Sequence, residues 1–597
     1  MNISPTGMSI LEAYNLFRKS DLLVNRTYQR KLVWTKDEKE MLIDSIIKGY
    51  PLPLFLFSKN DDHGDGTIEI LDGVQRLTAI FDFIENRVTY EDSYFDLSVF
   101  PAALENSKQG IFQAMGSFEQ LNKEICLDFL NYQLAVTTFA PENQEKVIDV
   151  FGRINSQGRQ LSSQEKRQAG VTNIFSELVR DISEIIRGDS SVKVLPLFDM
   201  PQISLEDVRN SQGYSIYIED MFWFKSGVLN RKNIRASEDE EVIADLLASI
   251  IFDKPFELSK ENLDKLYDDK SETYNSLVIR LKSIGVESIK RDFLKVFEVV
   301  RKHAEKNDND EVFQWIVSKQ RRNPSKYAFY AVFMSFYDLI IKQNKVPDTE
   351  VEILTKLTGL QKRLVQGSHS VREIDRTSNI NIVKGLIQDC FIEGSDERIA
   401  ELGIEYNFEQ LLARSKTESE TYEFKQGIFD LKPSGKKNKS NNAIIEKIAK
   451  TAVAMSNLGI RDKNFCIFIG VADDRTAAEK IAKINKTDFL EVSGKFVLGI
   501  EKDISTEFTL DSYIRRYLSE IEKFDISTEI KSQLKCPEII SYRGKQVVIL
   551  NIKTAMDVSK FEGKYYIREG SNTKEISNMD DLVSISKRFA SVEKMDC

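Results

Sequence analysis

Asp72-Gly73-Val74-Gln75-Arg76 is the stretch whose reading decides the fold. It follows Thr67-Ile68-Glu69-Ile70-Leu71, which reads as a buried strand, and precedes Leu77, Ile80, Phe81 and Ile84 at helical spacing. Gln75 and Arg76 therefore fall in the first turn of a helix. Unpaired backbone N–H groups and the positive end of the helix dipole point outward there, and a guanidinium adds a bidentate clamp, so the turn suits a phosphate. An Asp-Gly turn near an arginine mostly just reverses the chain, so the flanking segments have to decide.

Upstream, Asn25-Arg26-Thr27-Tyr28-Gln29-Arg30 precedes Val33-Trp34, and Thr35 with Glu38 forms a capping box ahead of Met41, Leu42, Ile46 and Ile47. That helix ends at Gly49, and Pro51-Leu-Pro-Leu-Phe-Leu-Phe57 leads into an apolar strand. Downstream, Phe151-Gly-Arg-Ile-Asn155-Ser-Gln-Gly158-Arg159-Gln-Leu161-Ser162 precedes another helix.

These three segments, in this order, resemble the N-terminal domain of GmrSD-type restriction endonucleases, which implies a ParB/sulfiredoxin-like fold. That family typically reads Asp-Gly-Gln-Gln-Arg; here Val74 takes the middle position and the acid, the glycine, the second glutamine and the arginine are kept. The resemblance implies binding and hydrolysis of an NTP, used to license a second, DNA-attacking activity. On that basis Arg30, Gly73, Gln75, Arg76 and Asn155 are expected to bind nucleotide. Arg76 and Arg30 would hold phosphates, while Asp72 positions water or a metal-bound water.

A chain of 597 residues is long enough for several domains, each with its own core. The formal charge of −10 argues against a surface that coats nucleic acid throughout, and leaves room for a local basic groove. The three histidines, His63, His303 and His369, lie far apart, so the clustered histidines of an HNH-like second domain are missing. The five cysteines have no Cys-x-x-Cys pair and suggest neither a disulfide framework nor a zinc knuckle. With no long apolar run and no leader-like start, a cytoplasmic prokaryotic protein without membrane contact is expected, homo-oligomerisation being left open.

From about Ser163 to Gly403 the chain reads as helices with little visible chemistry. Ser237 and Glu240 suggest a capping box before Val242, Ile243, Leu246 and Leu247, and a further helix is expected from Glu287 to Glu305. Lys326 to Lys342 carries Tyr327, Phe329, Tyr330, Phe333, Phe336 and Tyr337; core packing is the commoner role of such a stripe, a base-stacking platform the rarer one. Gln366 to Asn379 reads as a loop in which Arg372 or Arg376 would meet nucleic acid or simply be solvated.

From about Tyr406 strands and helices alternate. Tyr422-Glu423-Phe424-Lys425 is a strand, Ile444 to Met455 a helix, and Phe465-Cys466-Ile467-Phe468-Ile469 a buried strand running past Gly470 into Asp473-Asp474. Gln546 to Ile552 and the segment from Tyr565 to Thr573 complete an α+β domain. Alternation along the first strand puts Glu423 and Lys425 on one face and Tyr422 and Phe424 on the other. An acid and a lysine two apart suit metal-assisted phosphodiester chemistry, and Asp473 adds a carboxylate to that rim; solvated strand charges look the same by spacing alone.

Glu418-Ser with Glu423-Phe-Lys425, then Ala454-Met-Ser-Asn457 with Gly459, then Phe468-Ile-Gly470-Val471, then Tyr566-Ile-Arg568 with Gly570-Ser571, resemble the Schlafen AlbA-type domain. The resemblance implies nucleic-acid binding or cleavage, with Glu418, Glu423 and Asp473 as ligands of Mg²⁺ or Mn²⁺, Lys425 beside them, and Arg568 on nucleic acid. Two departures weigh against carrying catalysis over. The family's Asn-Thr-Gly-Gly turn is replaced by Asn457-Leu-Gly459-Ile-Arg461, and one residue is inserted before the aspartates. Lys432, Lys436 and Lys437 make a basic loop after the Glu423 strand, either a phosphate-binding patch or a solvated loop.

The sequence thus leads to a multidomain α+β protein. A ParB/sulfiredoxin-like nucleotide-binding domain spans 1–170, a helical domain 171–404, and a Schlafen AlbA-like domain 405–597. Its expected partners are a nucleotide and DNA or RNA. The expected role is anti-phage defence in which nucleotide turnover controls action on nucleic acid, the alternative being a non-catalytic sensor and nucleic-acid-binding regulator.

Overall fold

The computed structural model describes residues 5–26, 32, 34–59, 67–109, 112–116, 118–139, 162–168, 171–189, 193–200, 202–204, 215–305, 313–318, 325–348, 353–365, 372–394, 408–409, 411–412, 414–415, 419–431, 437–438, 442–460, 463–504, 509–576, 582, 585–586 and 589. The chain divides into two compact units, Met1–Ile399 and Ala400–Cys597. Both mix helices and sheets, as the multidomain α+β reading requires.

In the first unit, strands β1 (Pro5–Ser9), β2 (Leu22–Asn25), β3 (Phe55–Lys59), β4 (Ile68–Asp72), β5 (Gln133–Phe139) and β6 (Val194–Pro196) form a sheet in the order β1-β5-β3-β4-β2-β6. β2 runs parallel to β4, whereas β3 and β4 are antiparallel, with a register irregularity at Leu56/Phe57. Helices α1 (Ile10–Arg18), α2 (Lys36–Ile47) and α3 (Val74–Ile84) share one core with Phe55, Phe57, Ile68 and Ile70. Every residue of α3 is buried, and its one acid, Asp82, is held by Lys39 at 2.6 Å and Arg87 at 3.2 Å. The Thr35/Glu38 capping box is present as expected, and Gly49 takes the left-handed conformation (φ +72°) just beyond α2.

The rest of this unit is largely helical. It includes α4 (Ser163–Gln168), α5 (Ile174–Arg187), α6 (Arg231–Arg235), α7 (Glu238–Phe252), α8 (Lys326–Tyr337) and α9 (Glu373–Ile387). The aromatic stripe of α8 is core apart from Tyr327, which is exposed; Phe329, Tyr330, Phe333, Phe336 and Tyr337 are all buried. Two expectations fail here. Ser237 makes no side-chain cap; it sits at φ +58°, and Glu240 is bound by Arg187 at 2.5 Å. The stretch from Glu373 to Asn379 is the start of α9 rather than a loop, and Arg376 is buried, paired with both oxygens of Asp245 at 2.6 Å and stacked on Tyr330 at 3.8 Å. A guanidinium so enclosed serves the core, not nucleic acid.

In the second unit, β7 (Tyr422–Lys425), β8 (Phe465–Ile469), β10 (Glu538–Tyr542) and β11 (Lys545–Ile552) form a sheet in the order β7-β8-β11-β10, with only β7 and β8 parallel. β9 (Val471–Ala472) leaves that sheet after Gly470, whose φ of +106° turns the chain. Helix α10 (Ala443–Ser456) packs against the hairpin β12 (Tyr565–Glu569) and β13 (Asn572–Ile576). Helix α11 (Arg475–Asn485) follows β9.

Candidate functional site

In the first unit the site is built on the junction of β4 and α3. Gly73 sits at φ +108°, and a Cβ there would come within 2.3 Å of Phe55 Cδ1, so glycine is needed on both counts. The same Phe55 ring lies under the Arg76 guanidinium at 4.3 Å. Arg76 also donates to the Pro53 carbonyl, to the Leu54 carbonyl at 3.1 Å and to Asp72 Oδ2 at 2.8 Å. Burial pulls its pKa down, and Asp72 works in the opposite direction. Arg76 is thus turned onto its own chain, where it fixes the lead-in to β3 and orients Asp72.

The Asp72 side chain is 40 % exposed, while that of Arg76 is 11 % exposed. Gly73 offers no side-chain cap, and the intrahelical ladder begins with Leu77 N–H donating to Gly73 O at 2.8 Å. The first-turn amides of α3 and the Asp72 carboxylate therefore stand side by side. Gln75 is buried and accepts from Trp34 N–H at 3.3 Å, tying the segment before α2 to this turn. Parallel pairing of β2 and β4 brings Asn25-Arg26 to the same end of the sheet as Asp72. Arg30 and Asn155 lie outside the described residues.

One acid here was overlooked from sequence. Glu69, on the face of β4 opposite Ile68 and Ile70, is 2 % exposed, and among the described residues neither of its oxygens has a partner in hydrogen-bond geometry. Burial raises its pKa, and the nearby Asn25 side chain pulls the other way. The signal was an acid inside an otherwise apolar strand.

In the second unit the strand alternation holds. Tyr422 and Phe424 stack on Phe468 with ring centroids 6.2 and 5.3 Å apart, while Glu423 and Lys425 pair on the other side. Glu423 also binds Arg568 at 2.9 Å. Arg568 is 2 % exposed and donates to the Tyr422 carbonyl at 3.2 Å and to Thr573 at 3.3 Å, so it braces β12 against β7. Asp473 is exposed beyond β9, and Asp474 caps α11 by accepting from Ala477 N–H at 3.0 Å.

Among the described residues, no three His, Cys, Asp or Glu side chains come together as a metal site. Both oxygens of Glu423 are engaged by cations, a poor fit to a divalent ion. Glu418, Lys432 and Lys436 lie outside the described residues; Lys437 is described only as part of the short strand Lys437–Asn438. The Ala454-Met-Ser-Asn457 motif has a structural explanation. Buried Asn457 accepts from Ser559 N–H at 2.7 Å and donates to the carbonyls of Ser559 and Tyr566 at 3.0 and 2.8 Å.

Residues 13–172 match the GmrSD restriction endonuclease N-terminal domain family, and residues 418–577 match the Schlafen AlbA_2 family. The order is the one expected from the motifs. No curated protein matches the chain. Among the described residues, no helix is long and apolar enough to cross a membrane.

Proposed function

We propose that this chain is a restriction-like, anti-phage defence protein in which an N-terminal ParB/sulfiredoxin-like domain binds and hydrolyses a nucleotide and a C-terminal Schlafen-type domain acts on nucleic acid in the cytoplasm. The observation that carries the reading is the exposed Asp72 carboxylate, oriented by Arg76 beside the uncapped first turn of α3, inside a region matching a restriction-endonuclease family. In this reading the first-turn amides take up phosphate oxygens and Asp72 aligns the attacking water. Arg76 is a positioning residue, because its donors are directed at Asp72 and two carbonyls.

For the second unit, the pairing of Glu423 with Lys425 and Arg568 favours gripping nucleic acid over metal-assisted cutting. The test is phosphate release from ATP, GTP, CTP and UTP with Mg²⁺, comparing the natural chain with Asp72→Asn. Turnover abolished in the variant supports the reading; turnover equal in both, or absent in both, sinks it.

A further inference from the structure

Seven residues at the junction of α6 and α7 collect contacts from both sides of the motif-bearing segments of the first unit. Arg235, at the end of α6, binds Glu38 at 2.5 Å, just beyond the segment Asn25 to Trp34. The Ala236 carbonyl accepts from Ser162 Oγ at 2.7 Å, at the last residue of the segment Phe151 to Ser162. Asp239 and Glu240 each bind Arg187 of α5 at 2.5 Å, and Glu241 binds Arg167 of α4 at 2.8 Å.

Helix α5 returns the connection to the sheet, because Asp189, immediately beyond it, binds Arg26 at 2.7 Å and Glu184 lies 3.5 Å from the same guanidinium. Residues 235–241 therefore hold the chain just beyond the first segment and at the exit of the third, and reach Arg26 only through α5. From there the contacts lead into the helices, since Glu238 pairs with Lys326 of α8 and Asp245, further along α7, holds Arg376 of α9.

Ser237, within this stretch, is in a left-handed conformation, φ +58°, without a capping bond from its side chain. A serine there is strained and persists where surrounding contacts over-determine the backbone. The Arg187–Asp239 pair is almost wholly enclosed, with side-chain exposures of 2 and 0 %. Charges so buried do not separate singly, and a shift of α5 must carry the first turn of α7 with it.

We propose that residues 235–241 are a relay that transmits nucleotide occupancy at the Asp72 turn to α7 and the helices packed on it. The relay rests on the nucleotide reading above. Nucleotide at the turn shifts α2 through the Gln75–Trp34 contact, the Glu38–Arg235 pair moves with it, and α7 follows through Ser237.

The experiment is hydrogen exchange on the full chain with and without a non-hydrolysable triphosphate of each of the four common ribonucleotides. Peptides covering 68–84 and 238–252 are followed in the natural chain and in the double variant Arg235→Gln/Ser162→Ala. The relay requires nucleotide to slow exchange at both peptides in the natural chain, by about fivefold or more at 238–252, the low end of ordinary coupling energies. In the double variant the effect stays at 68–84 and disappears at 238–252. An effect confined to 68–84 in the natural chain, or one that survives at 238–252 in the variant, overturns the relay and leaves the nucleotide reading standing. No effect at 68–84 under any nucleotide overturns both. Unchanged tryptophan fluorescence establishes that the variant is folded.

Discussion

Replacing Gly73 by alanine isolates what holds the Asp72 turn in shape. The added Cβ meets Phe55 Cδ1 at 2.3 Å and the backbone stays at φ +108°. The conformational penalty is about 1–3 kcal/mol and the overpacking penalty another 1–3, so the loss is expected at about 2–6 kcal/mol. Gly49→Ala is the matched control, because its φ is +72° with nothing within 4 Å of the new methyl, leaving a conformational cost of about 1 kcal/mol. All three tryptophans, Trp34, Trp223 and Trp315, lie in the first unit, so tryptophan fluorescence during urea unfolding of the full chain follows that unit alone. With a slope of about 3 kcal/mol per molar, Gly73→Ala lowers the midpoint by roughly 1 M and Gly49→Ala by a few tenths. Equal midpoints for the two variants would refute the claim that the Gly73, Phe55 and Arg76 contact sets the geometry of the turn.

Other outcomes follow from individual groups. Asp245→Asn leaves the Arg376 guanidinium buried without its charge partner and is expected to cost about 3–5 kcal/mol in the same unfolding assay. Glu184 has a pKa pushed up to about 7 by burial, with Arg26 opposing and Asp189 adding to the rise. Its folded pKa lies above the ordinary 4.5, so the folded state holds the proton longer and stability from this group falls as pH rises from about 4.5 to about 7; Glu184→Gln should flatten the natural chain's stability over that window. Asn457→Ala strands buried groups on Ser559 and Tyr566 and is expected to speed hydrogen exchange in β12 and β13 by tenfold or more, with no change in the first unit. Arg568→Gln frees one oxygen of Glu423, and a gain in Mg²⁺-dependent cutting of RNA or DNA in that variant would show the Arg568–Glu423 pair to be what disfavours a metal.

Much of the scaffold was legible because it is written in local patterns. The helix after Asp72, the capping box of Thr35 and Glu38, the turn at Gly49 and the alternation of Tyr422 to Lys425 all follow from periodicity and turn chemistry within a few residues. What escaped was decided by partners far away in the sequence. Glu240 has the spacing of a capping-box acid, yet Arg187 claims it across the core, and Ser237 is left in a left-handed turn. Arg376 sits in a polar stretch that suggests solvent, and Asp245 with Tyr330 draws it inward. Arg568 and Arg76 were legible as positions in motifs but not as orientations, since both spend their donors on their own chain. Glu69 went unnoticed because an acid within Ile-Glu-Ile reads as an ordinary outward-facing strand residue, whereas both faces of this strand are covered.

The central claim is that nucleotide at one end of the chain governs action on nucleic acid at the other. The most direct test measures the affinity of the full chain for single- and double-stranded DNA and RNA, at fixed salt and Mg²⁺, with and without each nucleoside triphosphate, alongside Asp72→Asn. The account requires a nucleotide-dependent change in affinity of fivefold or more that Asp72→Asn loses. Affinity that is the same with and without every nucleotide would contradict it.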